Sequence, residues 1–122
     1  DPAVADEYFA VLMDRVATNH GRIFVADQEG RAIGWAVFVV LQNAIFVAEE
    51  ERNYGYIDEL FVSENDRSHG VGRALIAACE NEARRLGLRQ VMIGVLAGNR
   101  RAAGIYARSG FSAYSTELRK YL

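Results

Sequence analysis

The stretch ENDRSHGVGRALIAACENEARRLG, residues 64–87, joins a charged loop to a helix-like run through two glycines one residue apart. Val71, Leu75, Ala78, Cys79, Glu82 and Leu86 recur mostly at spacings of three and four, nearly one face of a helix from about Gly70 to Arg85, with Gly87 as its C-cap. Gly70 and Gly72 carry no Cβ, so backbone N–H groups at the helix start can approach a ligand directly. Those groups precede the intrahelical ladder and stand at the positive end of the helix dipole. Arg67 and Arg73 add full positive charges on either side. The combination suits an anion, most naturally phosphate, and a pyrophosphate would fit it.

Two familiar phosphate loops do not fit. A dinucleotide fold wants a third glycine where Leu75 stands, and an acidic residue about twenty positions on, where the chain has Gln90. A Walker loop wants lysine and then a hydroxyl residue after its last glycine, and here Arg73 and Ala74 follow Gly72. A glycine-containing turn that binds nothing is the alternative, and an isolated pair of glycines does not exclude it.

Working outward, the chain has 122 residues, 51% hydrophobic and 25% charged, enough for one domain and too few for two. Sixteen acidic residues outnumber fourteen basic ones, for a net charge of −2, which argues against nucleic acid or an anionic membrane as partner. Cys79 is the single cysteine, excluding an internal disulfide framework and a cysteine-rich zinc site. The longest apolar run, Ile33–Leu41 broken at Gly34, is far short of the ~20 residues a membrane span needs. A cytoplasmic location is expected, and the opening Asp1-Pro2 hints at sequence upstream.

Residues 3–19 carry Val4, Tyr8, Phe9, Leu12, Met13 and Val16 as an amphipathic helical stripe ended by Gly21. RIFVAD (22–27) and AIGWAVFVVL (32–41) read as a hairpin, YIDELFV (56–62) as a third strand, and QVMIGVL (90–96) as a strand covered on both faces. NRRAAGIYARSG (99–110) reads as a short helix, and FSAYSTELRKYL as a last strand paired antiparallel. The order predicts an α+β fold, a mixed sheet with helices on both faces.

YIDELFVSENDRSHGVGRAL followed by NRRAAGIYARSGF resembles the GNAT superfamily of N-acetyltransferases over roughly residues 22–121. The matching positions are Leu60 and Val62, then Arg67, Gly70 and Gly72, then Asn99, Ala102, Tyr106 and Gly110-Phe111. The resemblance implies a largely antiparallel central sheet and one acetyltransferase domain over residues 1–122, without the family's usual first strand. It implies acetyl-CoA as co-substrate and no metal. The pyrophosphate would lie on Arg67, Ser68, His69, Gly70, Val71, Gly72 and Arg73, and the pantetheine arm beside Leu60, Phe61 and Val62, with Asn99 and Ala102 completing the cofactor site. The partner would be a small-molecule or peptide amine, and a homodimer is compatible with the pattern.

Acetyl transfer needs a base, because an amine with a pKa of about 10.4 is protonated at neutral pH. Asp58 and Glu59 are the candidates, Asp58 first, and strand alternation lets only one face the cleft unless a bulge intervenes. A backbone N–H at Leu60 would face the developing oxyanion. The resemblance puts Tyr106 where the thiolate leaves. Each has a plainer reading: Tyr106 as a core tyrosine, one of the carboxylates as an exposed strand residue, His69 as a solvated ring, Cys79 as core filler. Trp35 reads as core before acceptor-site wall, and Glu49-Glu50-Glu51 as a solvated loop before a lure for cations. The rival from another class is a non-catalytic acyl-CoA-binding regulatory module.

Overall fold

Two β-rich runs separated by a polar turn form the hairpin that organises the sheet. The computed structural model describes residues 2–43 and 49–122; β1 spans Arg22–Gln28 and β2 spans Arg31–Gln42. Between them Glu29 (φ 52°) and Gly30 (φ 83°) both take left-handed backbone, the two-residue turn whose twist matches antiparallel strands. The Asp27 carboxylate accepts the Gly30 N–H at 3.0 Å and holds the turn closed.

β3 (Asn53–Val62) pairs antiparallel with β2, and β4 (Val91–Ile93) pairs parallel with β3, giving the order β1-β2-β3-β4. Helix α1 (Pro2–Thr18) precedes the hairpin, and the one-turn helix α2 (Glu49–Arg52) leads into β3. The acidic run therefore falls in a helical turn, and the side chains of Glu49 and Glu50 lie outside the described residues. A 3-10 turn, Glu64–Asp66, leads to α3 (Val71–Arg85), and α4 (Arg100–Arg108) follows β4. The mixed, largely antiparallel sheet is the expected fold.

Alternation along β2 divides the core between the two faces. Ala36 and Phe38 point one way and bury against Ile57 of β3 and Leu75, Ile76, Cys79 and Ala83 of α3. Val37 and Val39 point the other way, toward the side covered by α1, whose Val16 is also buried. Phe38 is fully enclosed, so truncating it to alanine is expected to cost about 3–5 kcal/mol. Helix α3 ends in a Schellman motif: Leu88 N–H reaches Ala83 O at 2.9 Å, and Gly87 N–H, at φ 75°, reaches Arg84 O at 3.0 Å.

Buried Glu82 fastens this helix to the hairpin. It receives Arg22 Nε at 2.6 Å from β1 and Arg85 Nε at 2.6 Å from its own helix. These bonds, Arg85's the stronger, overcome burial and hold its carboxyl at about 2.

Two sequence expectations need correction. The strand expected over 90–96 is three residues long and only half-buried, and Val95 and Leu96 are exposed; beyond Ile93 the chain leaves β3, which itself runs on to Val62, so the apolar run outlasts the pairing. The last strand does not form: residues 111–122 carry no regular structure, and Tyr114, Leu118 and Tyr121 are exposed. A strand needs an edge to pair with, and β4 offers only three residues of one.

Candidate active site

Helix α3 begins without a side-chain cap. Its first residue is preceded by Gly70 in left-handed backbone (φ 85°), and the first bond of its ladder runs from Ala74 N–H to Gly70 O at 3.0 Å. The N–H groups of Val71, Gly72 and Arg73 thus stand ahead of the ladder, with no acidic residue in the first turn. Ser68 is also left-handed (φ 68°), a conformation that costs a non-glycine residue roughly 1–2 kcal/mol. Arg67 Nε donates to Val62 O at 3.0 Å, pinning the loop to the end of β3.

Gly72 separates a structural need from a functional one. A Cβ there would meet nothing nearer than Val62 Cγ2 at 3.8 Å, and its backbone is not left-handed. The protein's own packing gives no reason for glycine at this position. A ligand seated on the helix start would.

That helix start opens into a cavity of about 310 Å³, lined by Leu60, Phe61 and Val62 of β3, Arg67, Ser68, Gly70, Gly72 and Arg73 of the turn, and Asn99, Ala102 and Tyr106 of the α4 region. Asp66, Arg101 and Ile105 also line it. Sequence reasoning missed these three, although Arg101 was legible as a third cation inside the NRRAAGIY motif. His69 is exposed and Val71 packs toward the core, and neither is among the lining residues. Asn99 caps α4, its Oδ1 accepting the Ala102 N–H at 3.1 Å.

The cavity exists because two strands part. The β3–β4 ladder stops at Ile57 and Ile93, leaving the edge of β3 at Leu60–Val62 without a strand partner where it lines the cavity. Tyr106 closes the opposite wall, its ring edge-on to Phe111 at 6.1 Å between centroids. Burial pushes its phenol above the ordinary tyrosine value, so it is a protonated donor throughout the neutral range. Cys79 is buried in the core, and burial pushes its thiol up to about 12, which removes it as a nucleophile.

On the other side of β3 the two carboxylates lie together. The register passes from Ile57 opposite Phe38 to Glu59 opposite Val37, so Asp58 is an extra, bulged residue. Alternation is broken there, and Asp58 and Glu59 both reach groups on or beside α1. The reading of one of them as an exposed strand residue is therefore corrected: both are half-buried and both are engaged. Asp58 receives Arg15 Nε at 2.6 Å and Nη2 at 3.1 Å, a two-pronged pair occupying both of its oxygens. Glu59 receives Trp35 Nε1 at 2.7 Å on Oε1 and the Tyr8 hydroxyl on Oε2.

Trp35 is only half-buried and stacks on Phe61 with centroids 4.4 Å apart, which makes it a wall of this site rather than core. Phe61 also lines the cavity, so the aromatic pair joins the cavity to Glu59. Tyr8 and Arg15 were not legible as site residues: in the sequence Tyr8 belongs to a helical stripe, and nothing marks its distance from residue 59 in space. Among the described residues no cluster has the makings of a metal site, and no helix is long and apolar enough to cross a membrane.

The sequence pattern of the acetyltransferase (GNAT) family matches residues 2–111. An uncharacterized N-acetyltransferase of Methanocaldococcus jannaschii is 33% identical over 104 residues, covering 85% of this chain and 43% of that protein. The chain thus spans less than half the length of that relative. Among solved structures, an aminoglycoside N-acetyltransferase in complex with CoA superposes with a TM-score of 0.76 at 21% identity, over 96% of this chain and 88% of that one. A tetramutant of a Bacillus halodurans protein superposes with a TM-score of 0.81 at 20% identity, over 93% and 73% of the two chains.

Proposed function

The chain belongs to the acetyltransferase (GNAT) family, and from that premise we propose that it transfers the acetyl group of acetyl-CoA to an amine by direct attack in a ternary complex. The observation that carries the reading is Gly72. It is a glycine that its own protein does not require, at an uncapped helix start facing a cavity with Arg67, Arg73 and Arg101 on its rim. The pyrophosphate of coenzyme A supplies the anion that this start lacks. The unpaired edge of β3 at Leu60–Val62 supplies backbone partners for the amide groups of the pantetheine arm, leading the thioester toward Tyr106.

The chemistry divides between the two faces of the site. Glu59 takes the proton from the acceptor ammonium, freeing the lone pair that attacks the thioester carbonyl. Glu59 is preferred to Asp58 because Arg15 occupies both oxygens of Asp58, whereas the Tyr8 hydroxyl, which holds one oxygen of Glu59, can itself pass a proton. The backbone N–H of Leu60 faces the oxyanion of the tetrahedral intermediate. As the carbon–sulfur bond breaks, Tyr106 protonates the departing thiolate.

The acceptor is a small-molecule or peptide amine. The aminoglycosides named for structural neighbours fit that class, and the local balance of Asp58, Glu59 and Arg15, one net negative charge, suits a cationic amine. The direct experiment is a calorimetric titration with coenzyme A, paired with thiol release from acetyl-CoA across a panel of primary amines. Binding with amine-dependent release supports the enzyme. Binding with no release from any amine would favour an acyl-CoA-binding regulatory module.

A further inference from the structure

We propose that Tyr8 is a catalytic residue, the relay through which Glu59 receives the acceptor's proton; this rests on the acetyltransferase reading above. The hydroxyl of Tyr8 donates to Glu59 Oε2, and the indole N–H of Trp35 occupies Oε1 at 2.7 Å. Each carboxylate oxygen thus already accepts one bond, and the carboxylate is half-buried. The Tyr8 oxygen keeps lone pairs, and its residue is 56% exposed, leaving room for an amine on the solvent side.

Trp35 extends the argument toward the thioester. Its ring stacks on Phe61 at 4.4 Å, and Phe61 lines the cavity that holds Tyr106. An amine resting against this aromatic pair lies between the Tyr8 hydroxyl and the cavity. Asp58 and Arg15 stand beside the relay on β3 and α1 but are closed on each other.

The step balances without a further reactant. One N–H bond of the ammonium breaks as its proton passes to the Tyr8 oxygen, while the phenolic proton passes to Glu59 Oε2. The nitrogen keeps the electron pair and forms the C–N bond as the carbonyl π bond opens to the oxyanion; on collapse the C–S bond breaks, the thiolate takes the Tyr106 proton, and the second proton shed by the nitrogen restores Tyr106 through solvent. Glu59 ends protonated, Tyr8 ends unchanged, and Trp35 holds the carboxylate in place throughout.

The test is a double-mutant cycle between Tyr8→Phe and Glu59→Gln, read as thiol release from acetyl-CoA with spermidine, neamine and an N-acetyl-lysine amide as probe acceptors. Coenzyme A affinity serves as the check that each variant is folded. With the relay in place, Tyr8→Phe lowers kcat about tenfold with coenzyme A affinity unchanged, less than a full general-base effect because water replaces the phenol. In the Glu59→Gln background the same change has no further effect, since the relay has lost its terminus.

Full activity in Tyr8→Phe, or the same loss in both backgrounds, would overturn the relay while leaving the enzyme reading intact. Full activity in Glu59→Gln would remove the base and the relay together. No release from any probe would overturn the acetyltransferase reading on which both stand.

Discussion

The two halves of the site are built in different ways. The half proposed for the cofactor, Leu60–Val62, the turn at residues 67–73 and the start of α4, is built of backbone: an uncapped helix start, a glycine with open space around it, a strand edge whose partner has left. The half proposed for the acceptor is built of side chains drawn from three elements, Tyr8 and Arg15 from α1, Trp35 from β2, and Asp58 and Glu59 from the bulge of β3. Backbone recognition needs particular residues at fixed short spacings, so it writes a motif. Side-chain recognition needs only that remote residues meet, which writes none.

The sharpest way to break this division is Gly72→Val. A Cβ there meets no protein atom nearer than 3.8 Å, and valine is a better helix residue than glycine, so stability should hold. Coenzyme A affinity should fall by at least about 100-fold, because the side chain fills the space the pyrophosphate needs. Calorimetry on the folded variant reads both, and unchanged affinity would remove the backbone half of the comparison.

Glu59→Gln should do the reverse, lowering kcat roughly 10²- to 10⁴-fold with coenzyme A affinity intact. Asp58→Asn should cost less, since Asp58 is committed to Arg15. A larger loss at Asp58 than at Glu59 in steady-state kinetics would reverse the assignment of the base.

Tyr106→Phe keeps the ring against Phe111 and deletes the donor. The expected loss in kcat is about 10- to 100-fold, because a thiolate, with a thiol pKa near ~8.5, is already a fair leaving group. Unaltered turnover with an amine that the wild-type protein acetylates would make that hydroxyl structural.

The smallest functional effect is expected at Glu82, which belongs to neither half. Its folded carboxyl, near 2, lies below the unfolded value, so its bonds to Arg22 and Arg85 stabilise the fold fully above about pH 4.5. That contribution drains away as pH falls toward 2. Glu82→Gln should cost about 2 kcal/mol at neutral pH, less than a fully buried pair because both arginines are more than half exposed. Denaturant unfolding at pH 7 and pH 3 should show a smaller gap between wild type and variant at pH 3, with coenzyme A affinity at neutral pH unchanged.

What was legible in the chain follows the same physics. The hairpin, α1, α3 and α4 show themselves through period, turn residues and glycines, and the phosphate turn through its two glycines and flanking arginines. The paired carboxylates were visible, but not what each is bonded to, because that depends on Arg15 and Tyr8, forty-three and fifty-one residues away. The bulge that turns both to one side is a register shift, with no residue type of its own to announce it. The expected final strand failed for a related reason: the residues of 111–122 say nothing about a partner edge.

The measurement that separates the two halves most directly is an amide-resolved NMR titration of the ¹⁵N-labelled protein with coenzyme A alone. The predicted result is large shifts at the N–H groups of Val71, Gly72 and Arg73 and along Leu60–Val62, with the Trp35 indole N–H, held by Glu59, little moved. Saturating binding that leaves residues 70–73 unshifted would contradict the account.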